Sequence, residues 1–264
     1  MRLVPHIGRT GRATRWRRVR GRPRVWGHRG ASAHAPENTM LSFERALAAG
    51  ADGIELDVRF DRDRNVVVFH DDELSRLCGR PGRLEELSGA ERAALRVRGE
   101  PVPLLAEVLA AFDTDVNVEI KSSRLGRAGE LVAAAAQVIR ASGRGERIVV
   151  SSFDPVALVQ LYRHLPDVAA AHLFHDEQSL ALRRGWAGRW IGASLVHPQH
   201  TLVDAASLAR WHRAGFAVNV WTVNDDAELR RLAALGVDGV FADDPARALA
   251  VLAAPGGGPA GESP

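Results

Sequence analysis

The chain has 264 residues, 46% of them hydrophobic, enough for one large α/β barrel or two small domains. Nine of its 35 basic residues lie in Met1–Arg24, which has no acidic residue, so residues 25–264 carry 26 basic against 32 acidic groups and the body of the protein does not read as a nucleic-acid binder. No run reaches the ~18 apolar residues of a membrane span, the N-terminal segment lacks the apolar core of a secretory signal, and a single cysteine, Cys78, excludes an intramolecular disulfide and suits a reducing, cytoplasmic compartment.

Residues 1–23 read as a disordered basic extension, or more sharply as a segment adhering electrostatically to anionic lipid or nucleic acid. From Arg24 onward, strand-like runs alternate with helical periodicity, the pattern of βαβ units and a parallel sheet. The strands are expected at Arg24–His28, Gly53–Val58, Val116–Lys121, Arg147–Phe153, Val168–Leu173, Trp190–Val196, Phe216–Val223 and Val237–Asp243. The first helix has Asn38 or Thr39 as N-cap, Met40, Phe43 and Leu47 at helical spacing, and Gly50 as its stop. Only seven residues, Arg59–Asn65, separate the second strand from the apolar run Val66–His70. That is too short for a parallel crossover, so the run reads as a hairpin return.

Eight strands alternating with helices predict a (β/α)₈ TIM barrel over residues 24–252, with an open doubly wound sheet as the alternative. A weak repeat supports the barrel, since Gly50-Ala51-Asp52-Gly53-Ile54-Glu55-Leu56-Asp57 aligns with Gly236-Val237-Asp238-Gly239-Val240-Phe241-Ala242-Asp243. Residues 72–115 are too long for an ordinary connection. They read as an insertion after the second strand, a lid or substrate-facing excursion. Residues 253–264 read as a flexible tail.

Catalytic groups of such barrels sit at the C-terminal ends of the strands, where this chain puts its charged residues. Glu55 and Asp57, two apart on one strand face, need a cation beside them. With Glu119 they make three carboxylates, an oxygen set suited to a hard cation such as Mg²⁺ or Ca²⁺ rather than zinc. Arg29 and Lys121 add positive charge suited to an anionic phosphate. The chain has 34 arginines and this one lysine, which suggests a place where a compact ammonium is needed. His28 and His70 offer one acid and one base.

These residues fall within His28-Arg29-Gly30-Ala31, Pro36-Glu37-Asn38-Thr39, Glu55-Leu56-Asp57, His70-Asp71, Glu119-Ile120-Lys121, Ser151-Ser152-Phe153-Asp154, Trp221-Thr222-Val223-Asn224 and Asp243-Asp244-Pro245. In order and at strand ends, the set resembles the glycerophosphodiester phosphodiesterases, from about Val25 to Pro245. The resemblance implies that Glu55, Asp57 and Glu119 hold one divalent cation and that Arg29 and Lys121 bind the phosphodiester. It implies that His28 and His70 are the acid/base pair, in an order the sequence leaves open. The attacker would be water or the glycerol 2-hydroxyl, and the products glycerol 3-phosphate and an alcohol such as choline or ethanolamine.

Trp221 is expected to wall the substrate cavity, against a plain core role. Glu37 is either a partner of Arg29 or a histidine, or a charge ahead of the helix cap. Ser151 and Ser152 read as structural. Asp61, Asp63 and Asp71 read as a solvated acidic hairpin tip. His172, His175, His197 and His200 lie near strand ends, while His6, His34, His164 and His212 read as tail, loop or helix surface. Two rivals remain: a lysophospholipase D acting through an apolar channel built from Leu84–Leu109, and a noncatalytic phospholipid-binding module anchored by the arginine-rich segment.

Overall fold

The computed structural model describes residues 10–121, 128–178, 188 and 191–254. Its strands are β1 (Arg24–Gly27), β2 (Gly53–Phe60), β3 (Val66–Val68), β4 (Arg96–Val97), β5 (Glu100–Pro101), β6 (Asp115–Ile120), β7 (Ile148–Ser152), β8 (Ala169–Phe174), β9 (Leu195–Pro198), β10 (Ala217–Val220) and β11 (Gly239–Ala242). Eight described strands run parallel in the order β1-β11-β10-β9-β8-β7-β6-β2, and pairing of β1 with β2 closes them into a barrel. β3 returns antiparallel along β2, as the short connection required. The fold is the expected (β/α)₈ barrel.

Most barrel strands are buried along their whole length, which explains their near-continuous apolar sequences. Alternation then sorts the side chains. Ile54, Leu56 and Val58 of β2 join Val116, Val118 and Ile120 of β6 in the layer beneath the helices, which leaves Glu55, Asp57, Asn117 and Glu119 for the barrel interior. Helix starts follow the sequence closely: the Thr39 side chain accepts from the Ser42 amide, and Asp154 and Asp244 cap helices that have Pro155 and Pro245 in the first turn.

The sixth barrel strand begins later than expected. Gly192 sits at φ +73°, a left-handed turn that breaks the anticipated run, and β9 starts only at Leu195. The expected Trp190 end lies outside the described residues. Residues 72–115 also divide differently. The helix Leu105–Ala111 buries Leu105, Val108 and Leu109 in the main core and is the barrel's own element between β2 and β6. The excursion before it forms a separate small core, in which Leu74, Leu84, Leu87, Leu95, Val97 and Val102 cover Val67 and Phe69. Its leucines are occupied there, which removes most of the material expected for an apolar channel.

The expected disordered extension is folded from Thr10 onward. Thr10–Arg15 is helical, and Ala13 and Trp16 are buried at the lower end of the barrel with Trp26, Val149, Leu195 and Phe241. The Trp16 and Trp26 rings lie 5.8 Å apart. Four of the arginines that suggested adhesion to an anionic surface meet carboxylates at the strand starts. Arg22 reaches Asp52 at 2.6 Å, Arg15 and Arg24 reach Asp115 at 2.8 and 3.1 Å, and Arg17 approaches Asp238 at 3.9 Å. The internal repeat has the same physical basis: Asp52 accepts from the Val25 amide and Asp238 from the Val218 amide, so each copy's aspartate ties its strand to the neighbour.

Trp16 is 1% exposed, so Trp16→Ala is expected to cost about 3–5 kcal/mol of stability. Urea denaturation measures this, and an unchanged midpoint would show that the segment does not belong to the folded unit.

Candidate active site

Register brings the acids together. Asp57 on β2 stands opposite Glu119 on β6, and one oxygen from each of Glu55, Asp57 and Glu119 lies within 4.8 Å of the others. All three side chains are buried. Around them, Lys121 Nζ is 3.1 Å from Asp57 Oδ1 and 2.6 Å from Glu119 Oε1, and Arg29 Nε is 3.4 Å from Asp57 Oδ2. Asn38 Nδ2 donates to Asp57 Oδ2 at 2.9 Å, and the Arg29 amide donates to Glu55 Oε2 at 2.8 Å.

Arg29 is held in an unusual backbone conformation. Its φ is +54°, and that of Asn38, whose amide donates to the Arg29 carbonyl at 3.0 Å, is +59°. Both lie in the left-handed region that side chains other than glycine seldom adopt. The next residue must be glycine: at φ +87°, a Cβ on Gly30 would fall 2.3 Å from Ser42 Oγ. This turn aims the Arg29 amide and its guanidinium at the same acid cluster.

The charges do not balance. Burial would raise Asp57, but Lys121 and Arg29 outweigh it and hold this carboxyl below its ordinary range. Burial, with Asp57 and Glu119 beside it, pushes Glu55 well above its own, and burial also raises Glu119. Three buried carboxylates face two cations, so one further positive charge would let all three ionise. The donors are oxygens only, and the group fits a hard divalent cation.

Each histidine at the site is held by a carboxylate. His28 Nδ1 lies 2.6 Å from Asp243 Oδ1, which also accepts from Ser32 Oγ, while Asn224 Nδ2 donates to Asp243 Oδ2. Burial opposes ionisation of Asp243, but the His28 contact prevails and brings its carboxyl down to about 2. His70 Nδ1 lies 2.6 Å from Asp71 Oδ1, and Asp71, gripped by Arg76, is likewise held at about 2. With Nδ1 engaged on both rings, Nε2 is the nitrogen left for chemistry. Burial lowers the His70 pKa, and Lys121 and Arg29 add to the effect against Asp57, which favours the neutral ring.

His28, Arg29, Glu55, His70, Glu119 and Lys121 line one cavity of about 240 Å³, closed on its other side by Phe153, Leu173, His197, Trp221 and Phe241. The Trp221 indole N–H donates to the His197 carbonyl at 2.7 Å, and its ring meets Phe153 edge-on at 5.4 Å. A second cavity of about 450 Å³ shares His28 and Arg29 and opens toward Glu37, Asp243 and Asp244. Glu37 accepts from Arg29 and Arg76, so it is a partner of Arg29 rather than a stray charge before the cap. Ser151 accepts from Asn117, and Ser152 donates to the Ile120 carbonyl.

Several residues behave otherwise than their sequence context suggested. Asp71 is not a solvated tip residue but the partner of His70. Asp61 is 2% exposed and accepts from the Asn65 amide and side chain, which shapes the hairpin turn. His212, read as helix surface, is half-buried and pairs with Asp238 at 2.8 Å, whereas His34 is an exposed loop residue, as read, and pairs with Asp244 at 2.8 Å. Asp243 and Arg76 received no role from sequence reasoning, and Asn38 only that of a candidate helix cap, a place that Thr39 takes. Asp243 and Asn38 stand inside the motifs that carried the resemblance, which was the available signal.

His172 and His197 are buried, and among the described residues neither His172 ring nitrogen nor His197 Nδ1 has a hydrogen-bond partner. Burial brings their pKa values down to about 4 and about 3, against about 6.5 in an unfolded chain. The unfolded state therefore binds more protons below pH 6.5, and stability falls as the pH drops from there toward 4 and 3. The expected slope is about 1.4 kcal/mol per pH unit for each histidine. Urea titrations between pH 4 and 7 measure it, and His172→Leu should remove one of the two contributions. An identical slope in that variant would contradict this origin.

No helix among the described residues is long and apolar enough to cross a membrane. The cations Arg29 and Lys121 and the imidazoles of His28 and His70 meet at this mouth. Fold and site together define a barrel hydrolase of phosphate esters. The sequence matches the model of the glycerophosphoryl diester phosphodiesterase family over residues 28–247, and the chain belongs to that family. It is 30% identical over 239 residues to the glycerophosphodiester phosphodiesterase of Caldanaerobacter subterraneus subsp. tengcongensis, covering 84% of this chain and 94% of that one. A solved phosphodiesterase from Oleispira antarctica, in complex with the product sn-glycerol-3-phosphate, has a TM-score of 0.80 at 28% identity, covering 88% of this chain and 98% of the other. The glycerophosphodiester phosphodiesterase of Thermotoga maritima has a TM-score of 0.72 at 29% identity, covering 87% and 98%.

Proposed function

We propose that the protein hydrolyses glycerophosphodiesters to glycerol 3-phosphate and an alcohol, with one divalent cation, Mg²⁺ or Ca²⁺, held by Glu55, Asp57 and Glu119. The observation that carries this reading is the convergence of those carboxylates, Arg29, Lys121 and two carboxylate-held histidines on one cavity mouth. When bound, the cation would supply positive charge to the phosphate as charge builds up on its oxygens. Arg29 and Lys121 bind the phosphodiester and fix its orientation. His70, favoured as the neutral ring, takes the proton of the attacking hydroxyl on Nε2, whether that hydroxyl belongs to water or to the glycerol 2-position. His28, with Nδ1 on Asp243, gives a proton to the departing alkoxide. Trp221 and Phe153 cover the carbon face of the glycerol and exclude water. The single cysteine, partly covered, suits work in a reducing, cytoplasmic compartment.

Release of glycerol 3-phosphate from glycerophosphocholine, compared with turnover of lysophosphatidylcholine, tests the substrate class. We expect the deacylated substrate to be preferred, because the excursion's leucines are buried in their own core. Preferred turnover of lysophosphatidylcholine would assign the site to a lysophospholipase D. Binding without turnover of either substrate would leave a phospholipid-binding module.

A further inference from the structure

Arg76 stands on the short helix Ser75–Cys78 of the excursion, outside the cavity. Its guanidinium bridges two acids that support the site. Nε and Nη2 donate to Asp71 Oδ2 and Oδ1 at 2.6 and 2.9 Å, while Nη1 and Nη2 donate to Glu37 Oε2 and Oε1 at 2.8 and 2.9 Å. Asp71 holds His70 Nδ1, and Glu37 accepts from Arg29 Nη1 at 2.8 Å. One planar fork thus fixes the carboxylate behind the imidazole and the carboxylate behind the guanidinium that faces the phosphate. The two acids lie on different elements, ahead of the first barrel helix and after β3, and in these bonds only Arg76 spans them. A lysine ammonium is a point charge and cannot hold two carboxylates in two-point contact. The His70 backbone is held from β2 as well, since Arg59 Nε donates to the His70 carbonyl at 2.6 Å while the same guanidinium pairs with Asp72 at the start of the excursion.

We propose that Arg76 is a positioning residue that couples the orientation of His70 to that of Arg29 through Asp71 and Glu37. It gives the excursion a catalytic role other than covering the site. The proposal rests on the acid/base and phosphate-binding reading above.

Glycerophosphocholine kinetics of Arg76→Ala, Arg76→Lys and Glu37→Gln/Asp71→Asn, with Arg76→Ala also placed in that double variant, test it. Removing a group that orients a site ligand costs about 10–100-fold, and Arg76→Ala should lose that much in kcat/KM. kcat should fall through His70 and KM should rise through Arg29. Arg76→Lys should recover only part of the loss, and added guanidinium chloride, at concentrations that leave the fold intact, should restore Arg76→Ala toward the native rate. In the Glu37→Gln/Asp71→Asn background, Arg76→Ala should cost less than about 2-fold, because its targets are gone. A full additional loss in that background, or native kinetics in Arg76→Ala, would overturn the proposal.

A readout without turnover separates this from failure of the functional reading. In ¹⁵N-histidine-labelled protein, His70 should be the Nδ1–H tautomer in the native chain and a mixture in Arg76→Ala. An unchanged tautomer would overturn the coupling even if the native protein turns over no glycerophosphodiester.

Discussion

Replacing His70 by alanine should lower kcat on glycerophosphocholine by about 10²–10⁴-fold while leaving the fold intact. The ring belongs to none of the apolar clusters, and its side-chain hydrogen bond is to the neighbouring Asp71, so its loss opens no core cavity. The catalytic loss follows from position. His70 lines the cavity beside Lys121 and Arg29, Nδ1 is occupied, and burial with those two cations lowers the pKa of the ring against Asp57 and Asp71, which favours its neutral form. Steady-state kinetics, with thermal denaturation as the control for folding, checks this. A variant within a few-fold of the native rate would remove His70 from the proton transfers.

The second large effect concerns charge. Lys121→Met deletes the ammonium that sits 3.1 Å from Asp57 and 2.6 Å from Glu119. Burial would lower the pKa of this lysine, but the two carboxylates outweigh it and raise it, so the ammonium is present at any physiological pH. Removing one partner of a buried ion pair leaves an uncompensated charge and costs about 3–5 kcal/mol. We expect Lys121→Met to lose stability of that order in chelator and to regain part of it when Mg²⁺ or Ca²⁺ is added, because a cation binding the folded state stabilises it by mass action. Thermal melts with and without metal measure both quantities without any substrate. Full stability in chelator would mean that the carboxylates tolerate the missing charge, and the electrostatic account of the cluster would fail.

Much of this was legible in the chain. The barrel strands read directly as buried apolar runs, and period-two alternation sends Glu55 and Asp57 to one face while Leu56 goes to the other. What could not be read were partnerships set by closure of the barrel. Asp243 reaches His28 across 215 positions and Arg15 reaches Asp115 across 100, and no local pattern marks either pair. The basic N-terminal segment looked unfoldable because its compensating acids, Asp52, Asp115 and Asp238, lie at strand starts far away in sequence. The excursion looked like a lid because residues 72–115 are too long for an ordinary connection, whereas the burial of its leucines depends on the β3 hairpin that they cover. Asp71 was misread for the opposite reason: its partner is its immediate neighbour, and an acid beside a histidine at a hairpin end carries no sign of which way it turns.

The most direct measurement follows a single substrate in ¹⁸O-labelled water. Purified protein with Mg²⁺ or Ca²⁺ is given glycerophosphocholine, and the products are read by mass spectrometry. The account predicts glycerol 3-phosphate carrying one ¹⁸O in its phosphate, unlabelled choline, and no product in chelator until metal is restored. Label in choline, or equal turnover in chelator, would contradict metal-assisted hydrolysis at phosphorus by this site.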